Sequence, residues 1–254
     1  MKNISSALLI SALAFNYSCT TMKTNDVKQE TIVPDAALSS NPLMKKSKLQ
    51  YEAPEFDKIK NEHFKPAFEF GLKQHDAEIL KIANNSETAT FENTIVALEK
   101  SGEVLKRAVT VFSNLTSANT NPTLQALDEE FAPIFAAHSD KMYLNENLYK
   151  RIKSISDKDL DPESAKLLQF YKQNFEIAGA NLSAADKEKL KQVNQEMASL
   201  STQYSNKLLE ARKEGGIIID NVKESDGLSA DEIAAAAADR RLVLQRGGEA
   251  VVVV

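Results

Sequence analysis

Between Phe91 and Phe112, seven residues follow one another at alternating steps of four and three: Phe91, Ile95, Leu98, Gly102, Leu105, Val109 and Phe112. That alternation places all seven on one face of a helix. A helix with one apolar stripe must be covered by further helices or a sheet, so this stretch governs what can form around it. Gly102 falls on the stripe among large residues. Inside a helix a glycine costs ~1 kcal/mol relative to alanine, so its expected use is to let another helix come close. The preceding stretch repeats the pattern with Phe64, Phe68, Leu72, His75, Ile79 and Ile82. Pro66 belongs near a helix start, which places that start between Asn61 and Pro66, and Asn84-Asn85 ends the helix. His75 lies on the apolar face, where a histidine reads as a hydrogen-bonded core residue.

Further segments keep the helical period. Thr90 is a candidate N-cap, with Glu92 in the first turn. Pro122 opens a third helix with the stripe Leu124, Leu127, Phe131, Ile134, Phe135, His138 and Met142, and Pro133 is expected to kink it. His138 reads as structural, like His75. A fourth helix, about Asn145 to Ile155, buries Leu148, Ile152 and Ile155. A fifth starts at Asp161-Pro162-Glu163, turns Leu167, Phe170, Tyr171 and Phe175 inward, and stops at Gly179. Ser183 and Asp186 form a capping-box-like start to the sixth. Its expected inward stripe is Leu190, Val193, Met197, Leu200, Tyr204 and Leu208. Lys187, Lys191, Glu196, Lys207, Glu210 and Lys213 are expected on the solvent side. Gly215-Gly216 ends it, and Ile217 to Asp220 is a short strand-like run. The predicted fold class is all-α, an antiparallel helical bundle with an irregular C-terminal tail.

Composition agrees and removes some functions. Glycine and proline are scarce, at 8 and 7 of 254 residues, which favours helices over a many-turned β fold. The net charge of −5 supplies no basic footprint for nucleic acid. The single cysteine, Cys19, allows no intrachain disulfide and no multi-cysteine metal site. Residues 1–18 read as an export signal: Lys2 is followed by an apolar run, Ile4 to Phe15, too short to span a bilayer. Cys19 follows directly and is the candidate lipidation residue, which would tether the chain to a membrane in the bacterial cell envelope. Asn16 and Tyr17 depart from the usual lipobox, so plain cleavage and secretion is one alternative and an uncleaved or cytoplasmic chain the other. Residues 19–48 read as a flexible tether, 49–232 as the helical region, and 233–254 as an aberrant or truncated tail ending in four valines.

The phrases HFKPAFEFG, IANN, TFENTIVALEKSG and VFSNLTSANTN resemble the N-terminal region of the thimet oligopeptidase-like zinc metallopeptidases, in the peptidyl-dipeptidase branch. The resemblance runs from about Asn41 to about Glu232. It implies one helical wall of a deep channel enclosed by two helical halves. It also implies zinc-assisted removal of C-terminal dipeptides from oligopeptide substrates. That chemistry uses HExxH, two histidines one helical turn apart around a glutamate that activates the metal-bound water. This chain has only His63, His75 and His138; none is followed by glutamate and none lies four from another. No catalytic or metal-ligating residue is therefore assigned, and zinc, the cofactor of the intact family, is not expected to bind here. G-x-S-x-G and phosphate-binding glycine loops are absent as well. The expectation is an N-terminal portion of a peptidase, inactive alone, whose stripes facing the other half would stay exposed. The alternative is an envelope-tethered helical interaction module without catalysis.

Overall fold

The computed structural model describes Pro34 and residues 36–214, 218–219, 226–233 and 252–253. The chain divides into two units, Met1–Val33 and Pro34–Val254. The first, carrying the expected signal and Cys19, lies outside the described residues; the second is described below. Its helices are α1 (Ala36–Ser39), α2 (Phe64–Ala83), α3 (Ala97–Glu99, entered through a π-helical turn at Phe91–Val96), α4 (Glu103–Ala118), α5 (Pro122–Tyr143), α6 (Glu146–Ser154), α7 (Pro162–Ile177) and α8 (Ala184–Glu214). The all-α class is as the periodicity predicts. Among the described residues, the β structure is one antiparallel ladder, Ile218–Ile219 against Val252–Val253. Val252 and Val253 thus pair on one side with the strand-like run. No described helix is long and apolar enough to cross a membrane.

Side-chain caps fix the starts of α5, α6, α7 and α8. The Asn121 Oδ1 accepts from the Leu124 amide at 3.0 Å, the Asn145 Oδ1 from the Leu148 amide at 3.0 Å, and the Ser183 Oγ from the Asp186 amide at 3.2 Å. Asp161 Oδ1 accepts from both Glu163 and Ser164 amides, and the Ser164 side chain first, then these amides, hold its carboxyl below the ordinary range. Each such cap stabilises its helix by ~1 kcal/mol. α5 carries Pro133 in its interior as a single element.

The long stripe from Phe91 to Phe112 is not one helix. α3 ends at Glu99, Gly102 takes φ +67°, and α4 begins at Glu103. Glycine adopts that left-handed conformation without a Cβ clash, and the Gly102 amide donates to Glu78 Oε2 at 2.7 Å. The two halves of the stripe consequently serve different cores. Ile95 and Leu98 pack with Ile79, Ile82, Ile152 and Phe175. Phe112 packs with Phe64, Phe68 and Phe131, each phenylalanine supplying ~1.5–3 kcal/mol of burial. The residue that admits a neighbouring helix is Gly71, where an added Cβ would lie 2.9 Å from the Leu105 backbone.

Contacts along the helices give their directions. Phe64 and Phe68 meet Phe112, each at 5.2 Å between ring centres, while Gly71, further along α2, meets Leu105 earlier in α4; α2 and α4 are antiparallel. Lys65 pairs with Glu130, Phe68 with Phe131 and His75 with His138. That steady offset makes α2 and α5 parallel, with α4 as the return. α8 runs antiparallel to α5, with Asn194 on Asp140 and Asn206 on Glu129.

Two predicted inward stripes are corrected. In α7 the buried pair is Leu168 and Phe175, whereas Phe170 is 55% exposed. Leu168, Tyr171 and Phe175 follow the three-and-four spacing that faces the core, and Phe170 falls off it. In α8 the inversion is larger. Val193, Met197, Leu200, Tyr204 and Leu208 are all exposed, Tyr204 at 68%. Lys187, assigned to solvent, is buried, with its ammonium 3.4 Å from Glu146. The face of α8 against α5 is polar, because the side of α5 opposite its phenylalanine core presents Glu129 and Asp140.

Candidate functional site

Three features of the helical body carry polar or apolar chemistry beyond packing: a histidine pair, a charged cleft and the outer face of α8. The histidines come from α2 and α5, brought together by the parallel offset of those helices. Their rings lie 4.9 Å apart. His138 Nδ1 sits 2.7 Å from Asp76 Oδ1, His138 Nε2 2.9 Å from His75 Nδ1, and His75 Nε2 3.1 Å from Ser101 Oγ. The Ser101 hydroxyl is 2.7 Å from the Leu98 carbonyl, and Lys141 donates to the other Asp76 oxygen at 2.7 Å.

Proton counting orders this chain. Placing the Ser101 proton on the Leu98 carbonyl, 2.7 Å away, makes His75 Nε2 the donor to Ser101 Oγ. His75 is the neutral member: burial first and the neighbouring His138 second lower its pKa from 6.5 to about 4, against a raising effect of Asp76. With its one proton on Nε2, His75 accepts at Nδ1 from His138 Nε2, and His138 donates from its other nitrogen to Asp76, an order that holds for a doubly protonated His138. These tautomers are assigned from the network. Ser101 is thus a donor to a carbonyl, the reverse of a hydroxyl whose proton is drawn off by a base. The cluster joins α2, α5 and the break before α4, with Gly102 against it: a Cβ there would meet His75 Nδ1 at 2.8 Å.

The same bonds decide how these residues suit a zinc ion. Both nitrogens of His75 and His138 are engaged with each other, Asp76 and Ser101, and His63 Nδ1 accepts from the Lys60 amide at 3.1 Å. No free lone pairs converge, so the three histidines do not fit the ligand set of a catalytic zinc. Among the described residues no three His, Cys, Asp or Glu side chains gather in a way that could hold a metal ion.

A cleft of about 500 Å³ lies between the N-terminal segment and α4. Leu43, Ile59 and Val111 contribute apolar walls, and Lys46, Lys106 and Arg107 face Glu52, Glu55 and Glu103 around it. Arg107 is held by the Leu43 carbonyl at 3.0 Å, and Lys46 lies 3.8 and 3.9 Å from Glu52 and Glu103. Cationic and acidic side chains balance in number around the cleft, so it carries no strong field of either sign.

The distinctive sequence phrases do structural work. Thr90 and Asn93 cap each other's backbone amides at 3.1 and 2.9 Å. Arg151 of α6 reaches the Asn85 and Glu87 carbonyls at 2.6 and 2.8 Å, Asn93 Oδ1 at 2.9 Å and Thr94 Oγ1 at 3.3 Å. Tyr171 donates to Glu99 at 2.9 Å, and burial followed by Glu99 pushes its phenol up. Sequence spacing did not reveal Asp76, Ser101 or Arg151 as network members. Their partners lie far away along the chain, and only the parallel packing of α2 on α5 brings the histidines together.

The sequence of this helical body is similar to that of known peptidases. Oligopeptidase A of Escherichia coli is 26% identical over 203 residues, covering 78% of this chain and 29% of that protein. Dipeptidyl carboxypeptidase of Escherichia coli is 44% identical over 201 residues, covering 78% of this chain and 30% of the relative; its Salmonella typhimurium counterpart is 42% identical over 204 residues. Over these 201–204 residues the chain is similar to the thimet oligopeptidase-like peptidases. It spans less than a third of the length of the relatives it matches. No family model matches it.

Proposed function

We propose that this chain forms the N-terminal helical scaffold of a peptidase that removes dipeptides from the C-termini of oligopeptides. The carrying observation is the 44% identity over 201 residues to a dipeptidyl carboxypeptidase. The scaffold's part is to hold substrate-facing and partner-facing helices in place through the Thr90–Asn93–Arg151 knot and the histidine cluster. Zinc hydrolysis belongs to the family's metal site, and the histidines here are committed to structural bonds, so we assign this chain no catalytic residue. Tethering at the bacterial cell envelope through an acylated Cys19 is part of the same proposal, supported by the apolar run, Ile4 to Phe15, shortly before the sole cysteine. An acylated N-terminus would move the protein to the membrane fraction, and Cys19→Ala would return it to the soluble one.

The test is hydrolysis of a blocked oligopeptide by the purified chain, with zinc and with chelator. The chain alone should release no dipeptide. Co-expression with the part of the Escherichia coli dipeptidyl carboxypeptidase outside its matched 30% should restore chelator-sensitive release. Chelator-sensitive release by the chain alone would refute the scaffold reading.

A further inference from the structure

We infer that the outer face of α8 is an interdomain docking surface, covered by the portion of the longer peptidase that this chain does not span; this rests on the scaffold reading above. The face consists of Val193, Met197, Leu200, Tyr204 and Leu208, between 43% and 68% exposed, around an open groove also edged by Glu196, Ser201 and Ser205. Their steps of four, three, four and four keep them on one side of the helix. The opposite side is already occupied. Asn194 and Asn206 bond to Asp140 and Glu129 of α5, both at 2.7 Å, and Lys187 is buried beside Glu146. Burial raises the Asp140 carboxyl, against the lowering effects of Asn194 and Lys191. α8 therefore cannot roll its stripe inward without stripping these polar groups of partners, each at a cost of ~1–3 kcal/mol.

An apolar stripe held outward by a polar seam is open to cover by a partner. Its chemistry selects the partner. The flanking charges are mixed, with Glu196 and Glu210 as well as Lys207, unlike the lysine- and arginine-rich border of a helix that lies on anionic lipid. The stripe spans about 23 Å of helix and one helix width of about 10 Å. Two copies meeting stripe to stripe would bury far less than the ~800 Å² per partner of a stable pair. A larger apolar-faced polypeptide can cover the stripe and add contacts around it. The relatives carry more than two thirds of their length beyond the matched region, which supplies such a polypeptide.

The test co-expresses the full chain with the part of the Escherichia coli dipeptidyl carboxypeptidase outside the matched region and reads complex formation by size-exclusion chromatography with light scattering. Wild type should give a one-to-one complex. Leu200→Glu and Tyr204→Glu together should weaken it at least tenfold, while Gln192→Glu, on the exposed polar side of α8, should leave it unchanged. Circular dichroism and urea midpoints of the double variant should match wild type, because both side chains face solvent. A complex indifferent to the double variant overturns the docking face while leaving the scaffold reading intact. An α8-dependent complex that releases no dipeptides sinks the scaffold reading and keeps the docking face. Absence of any complex overturns both, and a homodimer lost in the double variant reassigns the face to a second copy.

Discussion

Replacing His75 with asparagine should flatten the loss of stability that the chain suffers between pH 6.5 and pH 4. His75 is neutral in the fold, with a pKa lowered from 6.5 to about 4 by burial and by His138. A base with a depressed folded value binds fewer protons when folded than when unfolded throughout that window. Stability therefore rises with pH across it: the contribution is complete above 6.5 and is lost as pH falls towards 4. At ~1.36 kcal/mol per unit the upper limit is about 3.4 kcal/mol. The ring is only part-buried, and solvent screening reduces that to roughly 1.5 kcal/mol. Asparagine keeps an acceptor for His138 Nε2, does not titrate, and leaves Ser101 bonded to Leu98. Urea unfolding of both proteins at pH 7, 5.5 and 4.5 gives the measurement, followed by far-ultraviolet dichroism. The variant begins less stable because packing is lost, and the gap to wild type should shrink by about 1.5 kcal/mol as the pH falls. Parallel curves would refute a neutral His75 and with it the tautomer order of the cluster.

Three further outcomes test the scaffold. Gly71→Ala should destabilise the chain by ~1–3 kcal/mol, seen as a lower urea midpoint, because its Cβ would press on the Leu105 backbone 2.9 Å away. Gly102→Ala should cost at least ~1 kcal/mol, since it combines φ +67° with a 2.8 Å approach to His75; glycine's mirror-image tolerance is absent in serine too, so Gly102→Ser should fare no better. Arg151→Ala should cost ~3 kcal/mol by releasing the Asn85 and Glu87 carbonyls and the capped Thr90 turn, and hydrogen exchange should speed up first at the amides of residues 85–94.

The residues themselves determined most of the local structure. Periodicity located α2, α5, α6 and α8, and Thr90, Asp161 and Ser183 cap where their short polar side chains can reach backbone amides within three residues. Such bonds are local, so the order of residues decides them. The wording of TFENTIVALEKSG also pointed to the peptidase family before any contact was known, since that resemblance rests on the order of residues. What the spacing could not decide was which face of a helix meets which neighbour. The stripe of α8 has the same periodicity whether it points into a core or out of it. It points out because α5 is already buried through Phe131 on one side and offers Glu129 and Asp140 on the other, and Asn194 and Asn206 each donate to one oxygen of those carboxylates. Likewise His75 and His138 each read as a lone core histidine. Their bond exists only because α2 and α5 lie parallel, so that residues 63 apart along the chain fall side by side. Register between helices is set by the packing of many side chains at once, and no single stretch of sequence contains it.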